Sequence, residues 1–294
     1  MARLQVLFAA ILFGTTGTAQ TLAPEIEPLV VGASRVAVGA ALLLLIAALV
    51  GRLRVGTGRG AVLLGGACVA LYQVTFFAAV AETGVAIAAV VAIGSAPAFT
   101  GVLARAFAGE RLHWRWAAAT ALASVGVALL VLGGGTDGEV APAGVALALM
   151  AGCGYAGYAV LSKRMLEAGG TPEGVMAAVF ATGAVLLLPL LAIAPLGELT
   201  SPGGLALALY LGAIPTALAY ILFARGLERI GAGETATLTL AEPLTAAALG
   251  VIALGERPGA AAAAGAALVL GGLVLLALQP RAIRTAIGPA GAPA

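Results

Sequence analysis

Two side chains carry charge inside long apolar runs of this 294-residue sequence, and they define the chemistry to look for. Glu242 sits within 232–254 and is followed by Pro243; Arg35 sits within 29–50, about two turns from its start. A charge deep in a bilayer costs at least about 2.5–3.5 kcal/mol on insertion scales, so it is neutral, paired or facing a wet cavity. Glu242 is a candidate for proton coupling or for contact with a substrate amine. Alternatively, it donates to carbonyls that Pro243 leaves open, or ties its helix to a neighbour. Arg35 either snorkels its long stem to the outer interface or anchors a carboxylate from a substrate or another helix.

Pro97, preceded by Gly94 and Ser95, and Pro243 are candidate hinges, because proline kinks a helix or opens its hydrogen-bond ladder. Polar and aromatic side chains offer a binding wall. Tyr155, Tyr158 and Ser162 recur at i, i+3 and i+7 on one helix face, and Tyr72 and Phe76 at i and i+4, with Gln73 adjacent. Thr15, Thr18 and Gln20 lie in the first apolar run, Ser95 and Phe99 flank Pro97, and Tyr220 lies in the eighth, 203–227. Tyrosine joins apolar packing to one hydrogen bond, which suits an amphiphilic solute. Ordinary packing and interfacial belts compete with that reading, and Trp114 and Trp116 beside Arg115 are assigned to a belt.

The elements that must position these residues are set by composition. Hydrophobic side chains make up 62% of the chain and charged ones 10%, with a mean hydropathy of +1.10. That is too little charge to coat a water-facing surface. The alternating ten-residue strands of an outer-membrane barrel are absent, so the sequence reads as an all-α polytopic membrane protein. A net charge of +2 is too weak for a nucleic-acid surface. With one histidine (His113, at a loop boundary) and two cysteines inside apolar runs (Cys68, Cys153), no metal, cofactor or disulfide framework is expected. An intramembrane enzyme would need a nucleophile–base pair or metal cluster at depth, and none can be assembled. A channel would need rings of repeated polar groups.

Ten spans of about 20 residues are expected: 3–22, 29–50, 60–80, 84–107, 114–133, 141–162, 173–195, 203–227, 232–254 and 258–278. The first is read as a retained helix rather than a signal peptide. With the N-terminus inside, 13 of the 15 basic residues fall on the cytoplasmic side, while Glu25, Glu27, Glu82, Asp137, Glu139, Glu198 and Glu256 fall outside. Arg257 is the exception in an outer loop. Glycines such as Gly39, Gly65, Gly66, Gly126, Gly144, Gly271 and Gly272 are read as close helix contacts.

The chain also repeats itself. At an offset of 146, Phe77 meets Phe223, Glu82 meets Glu228, Pro97 meets Pro243, and Gly109-Glu110-Arg111 meets Gly255-Glu256-Arg257. At an offset of 140, Gly14 meets Gly154 and Gly17 meets Gly157. Five helices per unit is an odd number, so the second unit must enter the membrane from the opposite side. The charges agree, since Ala79 and Thr83 become Arg225 and Arg229. Inverted repeats are a common plan of secondary transporters, with the solute site near the midplane between them. The expected units are 1–135 and 136–280, followed by a disordered cytoplasmic tail, 281–294.

Leu12-Phe13-Gly14, Arg35, Pro97, the first Gly-Glu-Arg, Ala241-Glu242-Pro243 and the second Gly-Glu-Arg together resemble the drug/metabolite transporter superfamily, specifically its ten-helix EamA-type members. The resemblance runs from about Leu4 to Leu278; Phe13 replaces the tryptophan common before the helix 1 glycine. It implies a secondary transporter of the inner (cytoplasmic) membrane that exports small neutral or amphiphilic metabolites, amino acids foremost, by alternating access. Protons are the candidate coupling ion, the alternative is a channel-like facilitator, and a monomer or weak homodimer is expected. Reporter fusions at both chain ends should read cytoplasmic; opposite readings would refute the even span count.

Overall fold

A computed structural model of the chain describes residues 1–20, 26–133, 141–194, 196–254 and 259–278. The expected outer-loop residues Glu25, Asp137, Glu139, Glu256 and Arg257, the second Gly-Glu-Arg and the tail 281–294 lie outside the described residues. Among the described residues, regular structure is helical throughout: α1 (Ala2–Gln20), α2 (Pro28–Leu49), α3 (Arg59–Ala108), α4 (Trp114–Leu132), α5 (Pro142–Glu167) and α6 (Pro172–Ile193). A 3₁₀ turn (Glu198–Thr200) leads to α7 (Pro202–Gly212), a π-helical segment (Ala213–Leu218), α8 (Ala219–Leu227), α9 (Ala232–Leu238), α10 (Ala241–Leu254) and α11 (Ala260–Ala277). Nine helical stretches among the described residues are long and apolar enough to cross a membrane, counting Pro202–Leu227 and Ala232–Ile252 each as one. Helices suit this sequence because lipid supplies no partner for an open backbone group.

Local chemistry sets the boundaries. Helices α2, α5, α6 and α7 each begin on proline, where the missing N–H would have no intrahelical acceptor. Thr171 and Ser201 cap the helices that follow them, accepting from the Gly174 and Gly204 amides at 3.3 and 3.0 Å. Helix α5 continues to Glu167, five residues past the expected end at 162.

The expected spans 60–80 and 84–107 join as one 50-residue helix, α3. Straight, it would measure about 75 Å against a hydrocarbon core of about 30 Å. Gly84 breaks it, at φ 78° and ψ 162°, torsions essentially confined to glycine. The arms 59–83 and 85–108 both lie along α5. Gly144 faces Glu82 and Thr83, Gly152 faces Ala92 and Ser95, and Gly154 faces Cys68 and Tyr72. The chain therefore doubles back at Gly84. The expected bend at Pro97 is not matched by any loss of helical torsions there.

Small residues let the helices touch. A side chain on Gly126 would come within 2.6 Å of the Val269 amide and 2.8 Å of the Gly265 carbonyl, so α4 and α11 meet backbone to backbone. Gly66 packs against Thr182 and Gly183, joining α3 to α6. Trp114 is exposed beside the Arg115 guanidinium, as a belt residue should be. Trp116 is not: it turns inward over Gly101 and Gly233, because those glycines leave room for an indole.

One end of the bundle is tied by polar contacts between elements distant in sequence. Gly109 ends α3 in the left-handed region, φ 65°, and delivers Glu110 to the start of α9. There its two carboxylate oxygens accept from the Ala232 and Gly233 amides at 2.6 and 3.3 Å. A carboxylate suits the positive end of a helix. Arg3 pairs with Glu234 and donates to the Ala277 carbonyl. Lys163, 4% exposed, donates to the Leu227 and Glu228 carbonyls at 2.7 and 3.2 Å, where α8 runs out of amides. Glu173 is 1% exposed and pairs with Arg225 at 2.6 Å and Arg52 at 3.4 Å. Sequence reading missed Glu173 because it stands at the edge of an apolar run.

Glu110→Ala should lower thermal stability in detergent by about 0.5–2 kcal/mol, the usual cost of a lost helix cap. The exposed Glu198→Ala should stay within about 0.5 kcal/mol. A thermal-shift comparison of the two checks this.

Candidate functional site

Arg35 begins about 10 Å into α2, seven residues past Pro28 at 1.5 Å each. Its guanidinium does not run free along the lipid: Nη2 donates to the Gln73 Oε1 at 3.2 Å. Gln73 is 2% exposed and also donates from Nε2 to the Gly32 carbonyl at 2.8 Å. Gly32 has no room for a side chain, since Phe77 and Gln73 fill that space. Arg35 thus faces a small cleft that it lines with Tyr72, Gln73, Tyr158, Thr216 and Tyr220.

Aromatic rings from several helices wall this cleft. Tyr72 stacks on Phe76, with centroids 5.7 Å apart, and meets Tyr155 at 6.5 Å. Tyr155 and Tyr158 pack edge to face at 5.1 Å. Tyr220 closes the circuit against Phe180 at 4.2 Å, Phe13 at 4.9 Å and Tyr158 at 6.1 Å. Such pairs add about 0.5–1.5 kcal/mol each beyond area burial. The Tyr155 hydroxyl bonds the Thr239 hydroxyl at 3.0 Å. The buried Tyr158 hydroxyl lies among those of Tyr155 and Tyr220, whose rings it packs against. Ser162, expected on the same face, is buried one turn on, its hydroxyl without a partner.

The expected span 232–254 is broken at this depth. α9 stops at Leu238 and α10 starts at Ala241. Proline explains the site of the break, because Pro243 cannot donate to the Thr239 carbonyl. The Glu242 amide takes that carbonyl instead, at 2.9 Å, through a tighter three-residue turn. Pro243 then occupies the first turn of α10, where its missing N–H costs nothing, and Glu242 joins it there. Gly14 of α1 packs directly on this turn; a side chain there would meet the Glu242 carbonyl and Thr245 at 2.7 Å. Glu242 is half-buried on this turn, three residues past Thr239, whose hydroxyl bonds Tyr155, and it forms no ion pair with Arg35.

A second backbone irregularity lines the cleft opposite. Sequence reading took 203–227 as one regular helix, but its middle is π-helical, with Pro215 inside. Pro215 cannot donate to the Leu211 carbonyl, the turn widens, and the Thr216 hydroxyl donates to that carbonyl at 2.8 Å. Pro215 was the available signal. The widened turn fits because Gly39 of α2 faces the Thr216 methyl.

Other candidates stand apart. Thr15 receives the hydroxyl of Tyr210 at 2.9 Å, on an exposed face. Thr18 lies half-buried in the next turn of α1. Phe76 backs Tyr72 and Phe77. Ser95 and Phe99 face Gly152 of α5, and buried Pro97 lies between them in sequence. No group of three His, Cys, Asp or Glu side chains suited to a metal ion occurs among the described residues.

Comparison with known proteins shows the family. The EamA-like transporter family matches residues 1–132 and 142–278. Uncharacterized transporter YwfM of Bacillus subtilis is 42% identical over 283 residues, 96% of this chain and 95% of that protein. A "probable terminal-alkyne amino-acid exporter" of Streptantibioticus cattleyicolor is 34% identical over 186 residues, 63% of this chain and 61% of that protein. A solved crystal structure superposes with a TM-score of 0.80 at 24% identity, covering 93% of this chain and 95% of that one, which speaks for the fold alone.

Thr216→Val keeps the shape but removes a hydrogen bond at the widened turn. It should cost about 0.5–1.5 kcal/mol, read as a lower melting temperature in detergent. No change would mean that the π turn satisfies Leu211 unaided.

Proposed function

The chain belongs to the EamA-like transporter family and is a membrane transporter; on that premise we propose that it exports small neutral or amphiphilic metabolites, amino acids foremost, by alternating access. The observation that carries this is a cleft in which Arg35 of the first half meets Tyr72, Gln73, Tyr158 and Tyr220, with Glu242 of the second half on the nearby turn whose Thr239 bonds Tyr155. A zwitterion with an apolar side chain matches that combination. Arg35 meets the carboxylate, Glu242 meets the ammonium or carries a coupling proton, and Tyr72, Tyr155, Tyr158 and Tyr220 receive the apolar part. The similarity to a protein named as an amino-acid exporter supports the same class.

In this reading the arms of α3 cross separately, giving ten crossings in two inverted units, 1–135 and 136–280. Gly84 supports it, because the 146-residue offset places it opposite Ile230, in the turn between α8 and α9. The polar ties at one end join residues that positive-inside reasoning assigns to the cytoplasm, among them Arg3, Arg52, Lys163 and Arg225. Both chain ends then face the cytoplasm, across the inner membrane. Pro243, at the broken turn, and Pro97, whose helix keeps regular torsions in this state, serve as hinges for rocking the units about the cleft.

Proteoliposomes carrying the purified protein should show saturable uptake and counterflow of amino acids, driven by a pH gradient. Glu242→Gln should insert normally but cut gradient-driven flux at least about tenfold, equivalent to about 1.4 kcal/mol on the rate-limiting barrier. A variant whose flux keeps the wild-type pH profile would refute coupling through Glu242. Linear, non-saturating conductance would refute a carrier.

A further inference from the structure

Gln73 was read from sequence as one more polar residue of the binding wall, but its geometry gives it a different task. Both ends of its amide are committed. Nε2 reaches the Gly32 carbonyl at 2.8 Å, and Oε1 accepts from Arg35 at 3.2 Å. The orientation of the amide is fixed from two sides: a carbonyl can only accept, and a guanidinium can only donate. At 2% exposure, Gln73 has little surface left to offer a solute.

Arg35 is left in an unusual condition. It is half-buried at the cleft, and the side chain it donates to, Gln73, is a neutral amide that holds it without cancelling its charge. Glu242, which does carry a carboxylate, forms no ion pair with Arg35. The guanidinium presents five N–H donors in a rigid fork that matches a carboxylate in two places at once. One of those donors is spent on Gln73. The other donors belong to a side chain that lines the cleft.

We propose that Gln73 is a positioning residue that aims Arg35, and that this pair restricts the cleft to solutes bearing a free carboxylate. The inference rests on the reading of the cleft as the solute site and adds a selection rule to it. An amino acid is accepted, and the corresponding amide, identical in side chain and amine, is refused. Neutrality at position 73 is the operative feature. An acid there would pair with Arg35 and occupy the fork permanently, while an apolar residue would leave the fork unaimed.

The test uses the full chain in proteoliposomes, with phenylalanine and phenylalaninamide as the two probes. Wild-type protein should transport phenylalanine with at least tenfold preference over the amide. Gln73→Glu and Gln73→Met should each reduce that preference at least fivefold, mainly through a higher KM for phenylalanine, with amide transport unchanged. Because either variant could disturb the Gly32 contact, Arg35→Gln supplies an independent route and should abolish the preference in the same way. A structural fault would depress both probes equally, so equal losses in all three variants would overturn the proposal. Wild-type transport of acid and amide at similar rates would overturn it too, leaving the transport reading intact. Wild-type transport of neither probe would overturn both.

Discussion

The constraint on which the structure depends is that a backbone group inside lipid has no water to turn to. Regular helices satisfy it without help, and most of this chain consists of them. What distinguishes the protein is where it departs from regularity. Pro215 widens a turn at Leu211, and Pro243 breaks a helix at Thr239. Each departure is repaired locally, by the Thr216 hydroxyl in one case and the Glu242 amide in the other. Both lie beside the cleft lined by Arg35 and the tyrosines. Irregular backbone is tolerated at membrane depth where protein or a cavity surrounds it, and these two sites meet that condition.

Charge obeys the same economy. The described charges cluster at helix ends, where Glu110 caps α9, Lys163 caps α8, and Glu173 gathers Arg225 and Arg52. These contacts join segments far apart in the sequence at one end of the bundle. The two charges deeper inside, Arg35 and Glu242, come from opposite halves of the chain and form no ion pair with one another. A charged pair that packing alone required would be expected in direct contact, since breaking a buried pair is costly. Instead they stand apart, Arg35 on the cleft and Glu242 on the turn that Pro243 breaks.

Close approach of helices supplies the remaining precision. With lipid on the outside, no hydrophobic force separates helix from bilayer, so contact must come from fit. Gly14 brings α1 onto the Glu242 turn, Gly39 admits Thr216, and Gly32 admits Phe77 and Gln73. The same glycines that make the composition look featureless set the distances on which the cleft depends.

Membrane class, the approximate spans, the intramembrane charges and the tyrosine-rich faces were legible in the sequence, because apolar length and charge are properties of local segments. Pro243 was legible as a defect, though not the turn that mends it. Other features were decided in three dimensions. Gly84 replaced a loop with a single torsion, Trp116 left the expected belt for a slot between two glycines, and Thr15 went to Tyr210 rather than the cleft. Glu173 and Glu110 acquired their roles only from partners more than fifty residues away. The physical reason is common to all of these. A helix pattern fixes which face a side chain shares with its neighbours along the chain, whereas the partner across the gap is chosen by how closely two helices can pack.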